Sequence, residues 1–133
     1  MAFRPLLSRP SGRALLGGIG VFVAGWLLVT YAGNIELHGM LLLYLGIAAY
    51  LASGFATGFL ARRSPVMHGF LLSLLITVAF VLIAAVLMAP SGRSLAGSLI
   101  EAGHAALGFP LTLLSCILGA IVGDFIAAFT AKP

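Results

Sequence analysis

Residues 38–60 read HGMLLLYLGIAAYLASGFATGFL, a run of 23 residues without an Asp, Glu, Lys or Arg. A helix rises about 1.5 Å per residue, so this run would be about 34 Å long, enough to cross a hydrocarbon core of about 30 Å. The apolar residues are continuous and do not alternate with polar ones, which favours a helix over a strand of a membrane barrel. The stretch therefore predicts a membrane-spanning helix.

Three further stretches have the same character and cover residues 14–32, 68–89 and about 105–128. Of the 133 residues, 62% are hydrophobic and only 8% are charged. A soluble domain has about a quarter of its residues charged. We therefore expect an all-α polytopic membrane protein, with residues 1–133 forming one four-helix transmembrane bundle embedded in the lipid bilayer.

The same composition excludes several classes of protein. An ordinary soluble enzyme or a disordered tail would carry far more polar residues. Seven scattered basic residues give a net charge of +4 but form no patch, so we expect no nucleic-acid partner. The single cysteine, Cys116, excludes a disulfide framework.

The basic residues predict how the helices are oriented. Short cytoplasmic loops carry an excess of Lys and Arg. With a cytoplasmic N-terminus, Arg93 is the one basic residue outside, and the others are inside: Arg4, Arg9, Arg13, Arg62, Arg63 and Lys132. We therefore expect the N-terminus and the C-terminus to lie in the cytoplasm. Polar residues at helical spacing over residues 92–104 also predict a short amphipathic helix at the outer surface.

Small residues at four-residue spacing are the strongest packing signal. In lipid, GxxxG motifs let two helix backbones approach closely. The two motifs are Gly54/Gly58 and Gly119/Gly123, and Ser115 extends the second by one four-residue step. In the first helix, Gly18 and Gly25 share one face. We expect the second and fourth helices to form the tight core and the third to be more exposed to lipid. The motifs either pack helices within one chain, which we favour, or contact a neighbouring subunit.

Asp124 is the one ionisable residue that the sequence places inside a span. It lies near the cytoplasmic end of the fourth helix, level with Arg62 or Arg63. A carboxylate–guanidinium pair that is largely structural is the favoured interpretation. A proton- or cation-binding site and a solvated interfacial acid are the alternatives.

Two Glu/His pairs on the predicted outer side are the only candidates for metal ligands. Glu36 precedes His38 by two residues, and Glu101 precedes His104 by three, which places the second pair on one helical face. Such residues bind zinc, copper or nickel. Polar residues are also ordinary at a membrane boundary, so we expect no metal and no other cofactor.

The pattern resembles a group of small, uncharacterised bacterial four-helix integral membrane proteins. The resemblance rests on the two GxxxG motifs, on the basic turn Arg62-Arg63-Ser64-Pro65 and on His68-Gly69 at the start of the third helix. It implies a four-span architecture in the bacterial inner membrane. The chain departs from the group in having two arginines where a glycine-and-lysine run is typical, and Asp124 where a neutral amide is expected.

Two functional hypotheses follow. Because the sequence has no metalloprotease motif, nucleophile elbow or phosphate-binding loop, we expect no enzyme. The favoured hypothesis is an accessory, scaffold or regulatory subunit that packs through its glycine-rich faces in a homo-oligomer or a larger membrane-protein complex. The alternative is a small oligomeric channel or transporter in which Asp124 couples to a proton or cation.

Overall fold

The computed structural model describes residues 10–33, 39–62, 64–88 and 108–131, and this part of the chain forms four α-helices. They are α1 (Gly12–Gly33), α2 (Gly39–Ala61), α3 (Pro65–Met88) and α4 (Phe109–Thr130). Each is long and apolar enough to cross a membrane. The prediction of an all-α chain with four such helices is confirmed. The predicted surface helix at 92–104 lies outside the described residues.

Two helices have a proline in their first turn, where proline fits because its missing N–H would have no partner there. Helix α3 begins at Pro65, earlier than the predicted residue 68, directly after a tight turn. In that turn Arg62 and Ser64 adopt positive φ angles of 49° and 46°. Pro110 lies in the first turn of α4, so it marks the start of that helix.

The helices pack in the order α1, α2, α4 and α3, with α3 also touching α2 and α1. Helices α2 and α4 are parallel, since Gly54 lies beside Cys116 and Gly58 beside Ala120. Helix α1 is antiparallel to α2, since Gly17 and Gly25 meet Leu60 and Ala49 respectively. We call the end at which α1 and α3 begin and α2 and α4 end the basic end of the bundle.

The core lies where α1, α3 and α4 converge. Leu72 on α3 and Cys116 on α4 have no exposed surface, and Phe22 of α1 packs against them. The Phe22 ring stacks on Tyr50 with a centroid distance of 5.3 Å and meets Phe80 edge-on at 5.7 Å. Aromatic pairs of this geometry add stability beyond their burial.

Helix α3 is expected to be more exposed than α2 and α4, but it is buried less than α4 only and to the same extent as α2. In the most apolar stretch of each helix, 39% of residues are buried in α4, 28% in both α2 and α3, and 17% in α1. Helix α3 is covered because Gly69 lets it approach the α4 backbone closely. A Cβ atom added to Gly69 would lie 2.8 Å from the Cα of Ile117. Helix α1 rests mainly on α2 and is the least covered of the four.

Candidate functional site

The backbones of α2 and α4 approach each other closely at the two GxxxG motifs. A Cβ atom added to Gly54 would lie 2.9 Å from the carbonyl carbon of Cys116, and one added to Gly58 would lie 2.6 Å from the Cα of Ala120. Real Cβ atoms essentially never come within 3.0 Å of such atoms. The first GxxxG motif therefore faces the backbone of α4 in the same chain.

The second motif meets α2 in return. A Cβ atom added to Gly119 would lie 2.9 Å from the amide nitrogen of Phe55, and one added to Gly123 would lie 2.8 Å from the amide nitrogen of Phe59. Ser115, one step before Gly119, is buried on the same helix. Together the four motif glycines form what we call the glycine seam, and both of its sides belong to one chain.

A second seam joins α1 to α2 and contains buried hydroxyls. The Ser53 Oγ donates a hydrogen bond of 2.7 Å to the carbonyl oxygen of Gly18 on α1. The Thr57 Oγ1 donates to the Ser53 carbonyl oxygen at 3.0 Å, within α2. Gly25 meets α2 one to two turns further along, where an added Cβ would lie 2.8 Å from the Cβ of Ala49. Both first-helix glycines singled out from the sequence thus face α2.

Two further hydroxyls of the interior bond to backbone carbonyl oxygens three or four residues earlier in the chain. The Ser73 Oγ donates to the Phe70 carbonyl oxygen at 2.7 Å, and the Thr112 Oγ1 donates to that of Gly108 at 3.1 Å. This pattern is common for Ser and Thr in apolar helices. It satisfies the buried polar atoms locally.

Sequence reasoning gave His68 no functional role, but the structure places its side chain in two backbone contacts at the basic end. Its ring is 1% exposed. The Nε2 atom accepts a hydrogen bond of 2.9 Å from the backbone N–H of Ser11, and Nδ1 lies 3.0 Å from the carbonyl oxygen of Ser64. No spacing rule could have found this contact, because Ser11 and His68 are 57 residues apart.

Asp124 and Arg62 come to the same level of the bundle. Gly58 lies against Ala120, and Arg62 and Asp124 each follow these residues by four positions, one helical turn. The Arg62 amide nitrogen still donates to the Gly58 carbonyl oxygen at 3.1 Å, so the helical path continues to this point. Asp124 is half-buried and Arg62 is exposed. The ion pair between their side chains stays a prediction, and Arg63 lies outside the described residues.

The candidate metal ligands Glu36, His38, Glu101 and His104 also lie outside the described residues. In residues 10–33, 39–62, 64–88 and 108–131, no group of three or more His, Cys, Asp or Glu side chains could hold a metal ion. The structure therefore leaves the prediction about these four residues untested.

Two of the concave surfaces between the described helices involve α3. An apolar groove of about 190 Å³ runs between α1 and α3 and is lined by residues that include Phe22, Trp26 and Phe80. A second cavity, of about 210 Å³, is lined partly by Tyr50, Thr77 and Thr112. Of these two, the second brings hydroxyl-bearing side chains of three helices around one space.

Comparison with known proteins assigns no family. No family model matches the chain, and no curated protein or solved structure matches it either. The class that the fold defines is an all-α chain whose four helices could each cross a membrane.

Proposed function

We propose that this protein is a non-catalytic integral membrane protein that acts as an accessory, scaffold or regulatory subunit. The observation that supports this most is the state of the buried hydroxyls. Those of Ser53, Thr57 and Ser73 are fully buried, and each donates to a backbone carbonyl oxygen. A ligand site needs polar groups that are free to orient its ligand. These three are already occupied by backbone carbonyl oxygens, that of Ser53 across to α1 and the other two within their own helices.

The proposal includes a topology. All four helices cross the bilayer of a bacterial inner membrane, with both termini and the basic end in the cytoplasm. The positions of Arg13 and Arg62 at that end support this orientation, because short basic segments are retained on the cytoplasmic side. The bacterial location rests on the resemblance described above.

The partner, either a second copy or another membrane protein, must contact a surface other than the glycine seam. That seam is filled by α2 and α4 of one chain, so it has no room for a further helix. Helix α1 is the least buried helix and presents Leu16 (70% exposed), Leu27 and Leu28 to its surroundings. We therefore expect partner contacts to concentrate on α1.

Site-specific photocrosslinking in the native membrane tests this function. A photoreactive amino acid is placed at Leu16 or Leu28 on α1 and, as a matched control, at Leu118 on α4, which is also exposed. We expect one defined protein to crosslink from α1 in high yield and little from Leu118. If the same scan, extended to exposed residues of all four helices, captures lipid alone, the accessory function is wrong.

A second candidate function is a small oligomeric channel or transporter that uses Asp124. The observation that favours it is the half-buried carboxylate one turn beyond the glycine seam, level with Arg62. Ionisable groups in apolar helices mark proton and ion pathways more often than other positions do. The flux experiment that separates the two functions is given in the Discussion.

A further inference from the structure

The first turn of α1 is capped by Ser11. Its carbonyl oxygen accepts from the Leu15 amide at 3.1 Å, and its Oγ lies 3.5 Å from the Ala14 amide nitrogen. In a capping box, the side chain of the third helical residue accepts a bond from the N–H of the cap residue. That third residue is Ala14, which has no acceptor. His68 of α3 supplies the acceptor through Nε2 at 2.9 Å.

The other ring nitrogen fixes the tautomer of His68. The carbonyl oxygen of Ser64 has no proton to give, so Nδ1, 3.0 Å away, must be the donor. The Ser64 oxygen also accepts the backbone N–H of His68 at 3.2 Å, the first bond of α3. The neutral ring with its proton on Nδ1 therefore satisfies both contacts at once.

We propose that His68 is an acid-sensitive latch that fastens the start of α1 to the turn between α2 and α3. The latch depends on the Nε2 lone pair, which accepts the hydrogen bond from the Ser11 N–H. Protonation of Nε2 makes it a donor, and two donors, Nε2–H and the Ser11 N–H, then face each other. The bond is lost and a positive charge is placed in a site that is 1% exposed. Acid therefore releases the first turn of α1 while the glycine seam, which contains no titratable group, stays closed.

Among the described residues, no other charged or titratable group near the ring replaces the lost bond. The groups toward this end are Arg13 on α1, Arg62 after α2, and Cys116 and Asp124 on α4, whereas the tyrosines of α1 and α2 lie further from it. Helix α3 has no titratable residue besides His68. The Ser11 N–H needs an acceptor, which neither guanidinium can provide. Asp124 lies one turn beyond Ala120 on α4, toward the basic end, and is half-buried.

Amide hydrogen exchange at Ser11, measured by NMR on the full chain in detergent micelles, tests the latch. Spectra are recorded at about pH 8 and about pH 5, on either side of the range in which histidine normally titrates, and exchange is corrected for its intrinsic pH dependence. We expect protection of the Ser11 amide to fall about tenfold in acid, the loss that a hydrogen bond of about 1.4 kcal/mol implies. Protection of amides near Gly58 serves as the internal control and should not change.

The matched variant is His68→Gln, whose amide can accept and donate in similar positions but does not titrate near neutral pH. We expect it to keep the same Ser11 protection at both pH values. Unchanged protection in the wild type at about pH 5, or an equal loss in His68→Gln, would overturn the proposal.

A second pair of variants covers the case in which His68→Gln does not fold. Ser11→Pro removes both the Oγ and the N–H, whereas Ser11→Ala removes the Oγ alone. The latch predicts that the thermal midpoint falls further in acid for Ser11→Ala, which keeps the N–H that loses its acceptor, than for Ser11→Pro, which has no such N–H. An equal response of the two variants would show that the contact between Ser11 and His68 is not what senses the proton.

Discussion

Gly18 lies so close to Thr57 that a Cβ atom at position 18 would overlap the Thr57 Oγ1. The same glycine offers its carbonyl oxygen to Ser53, whose Oγ donates to it at 2.7 Å. Close approach and hydrogen bonding therefore depend on one another at this point. Helix α1 is held on α2 because position 18 lacks a side chain and position 53 has a short polar one.

This relationship predicts a coupled pair of substitutions. Gly18→Ala should lower the free energy of unfolding by about 1–3 kcal/mol, because the methyl group overpacks a filled contact. Thr57→Ala removes the overlapping oxygen, so the double variant should lose less than the sum of the two single losses, by about 1 kcal/mol. A double-mutant cycle from reversible unfolding in mixed micelles measures this coupling. Strict additivity would mean that Thr57 is not the obstacle.

The glycine seam predicts that two glycines of α2 respond oppositely to the same change. Gly58→Ala drives a methyl group into the Ala120 backbone, which cannot move without separating α2 from α4, so we expect a loss of about 2 kcal/mol or more. Gly46→Ala is the control, because nothing lies within 4 Å of an added Cβ there. Its helix propensity should improve by up to about 1 kcal/mol. Thermal unfolding in one detergent compares the two, and equal destabilisation would contradict the seam.

The contrast between Gly58 and His68 shows how far the sequence predicts this molecule. The spacing of Gly54 and Gly58 is visible in the chain, and the matching pair in α4 indicates the partner helix, because close backbone packing needs small residues on facing helices. The link from His68 to Ser11 is not visible. It depends on where the first turn of α1 falls beside the start of α3, which only the packed bundle determines.

Exposure was harder to predict than packing for a similar reason. Helix α3 has one glycine and is expected to be more exposed to lipid than α2 and α4, yet Leu72 on it is completely buried. An apolar residue that faces lipid and one that faces a neighbouring helix are chemically alike, so apolar composition does not distinguish them. The single glycine at position 69 was the signal that α3 approaches another helix closely.

Asp124 separates the two proposed functions through one substitution. If the protein is an accessory subunit, neither the wild type nor Asp124→Asn should carry a proton or cation flux in proteoliposomes. On the channel or transporter function, the wild type carries a flux that Asp124→Asn abolishes while the variant still inserts and oligomerises. A fluorescent pH or ion indicator inside the liposomes measures both. A wild-type flux that Asp124→Asn abolishes would replace the accessory function with the second candidate.

The same residue tests the predicted contact with Arg62. If the two side chains pair, Asp124→Ala and Arg62→Ala should each lower the free energy of unfolding, and the double variant should lose less than their sum. The coupling should stay at or below about 1 kcal/mol, because Arg62 is exposed. It should also shrink at high salt. A coupling of zero at low salt would show that the shared level on α2 and α4 does not bring the charges into contact.

Cysteine labelling tests the proposed orientation with two positions at opposite ends of α4. Gly108 has open space around an added Cβ, and Ala131 is exposed just after the helix ends. In a Cys116→Ala background, a membrane-impermeant maleimide added to intact cells should label Gly108→Cys at once, and Ala131→Cys only after permeabilisation. The wild-type protein, labelled in parallel, is the control: Cys116 has no exposed surface, so its thiol should resist the reagent in both states until the protein is denatured. Labelling of Ala131→Cys in intact cells would invert the topology and place the basic end, with its Arg13 and Arg62, outside the cytoplasm.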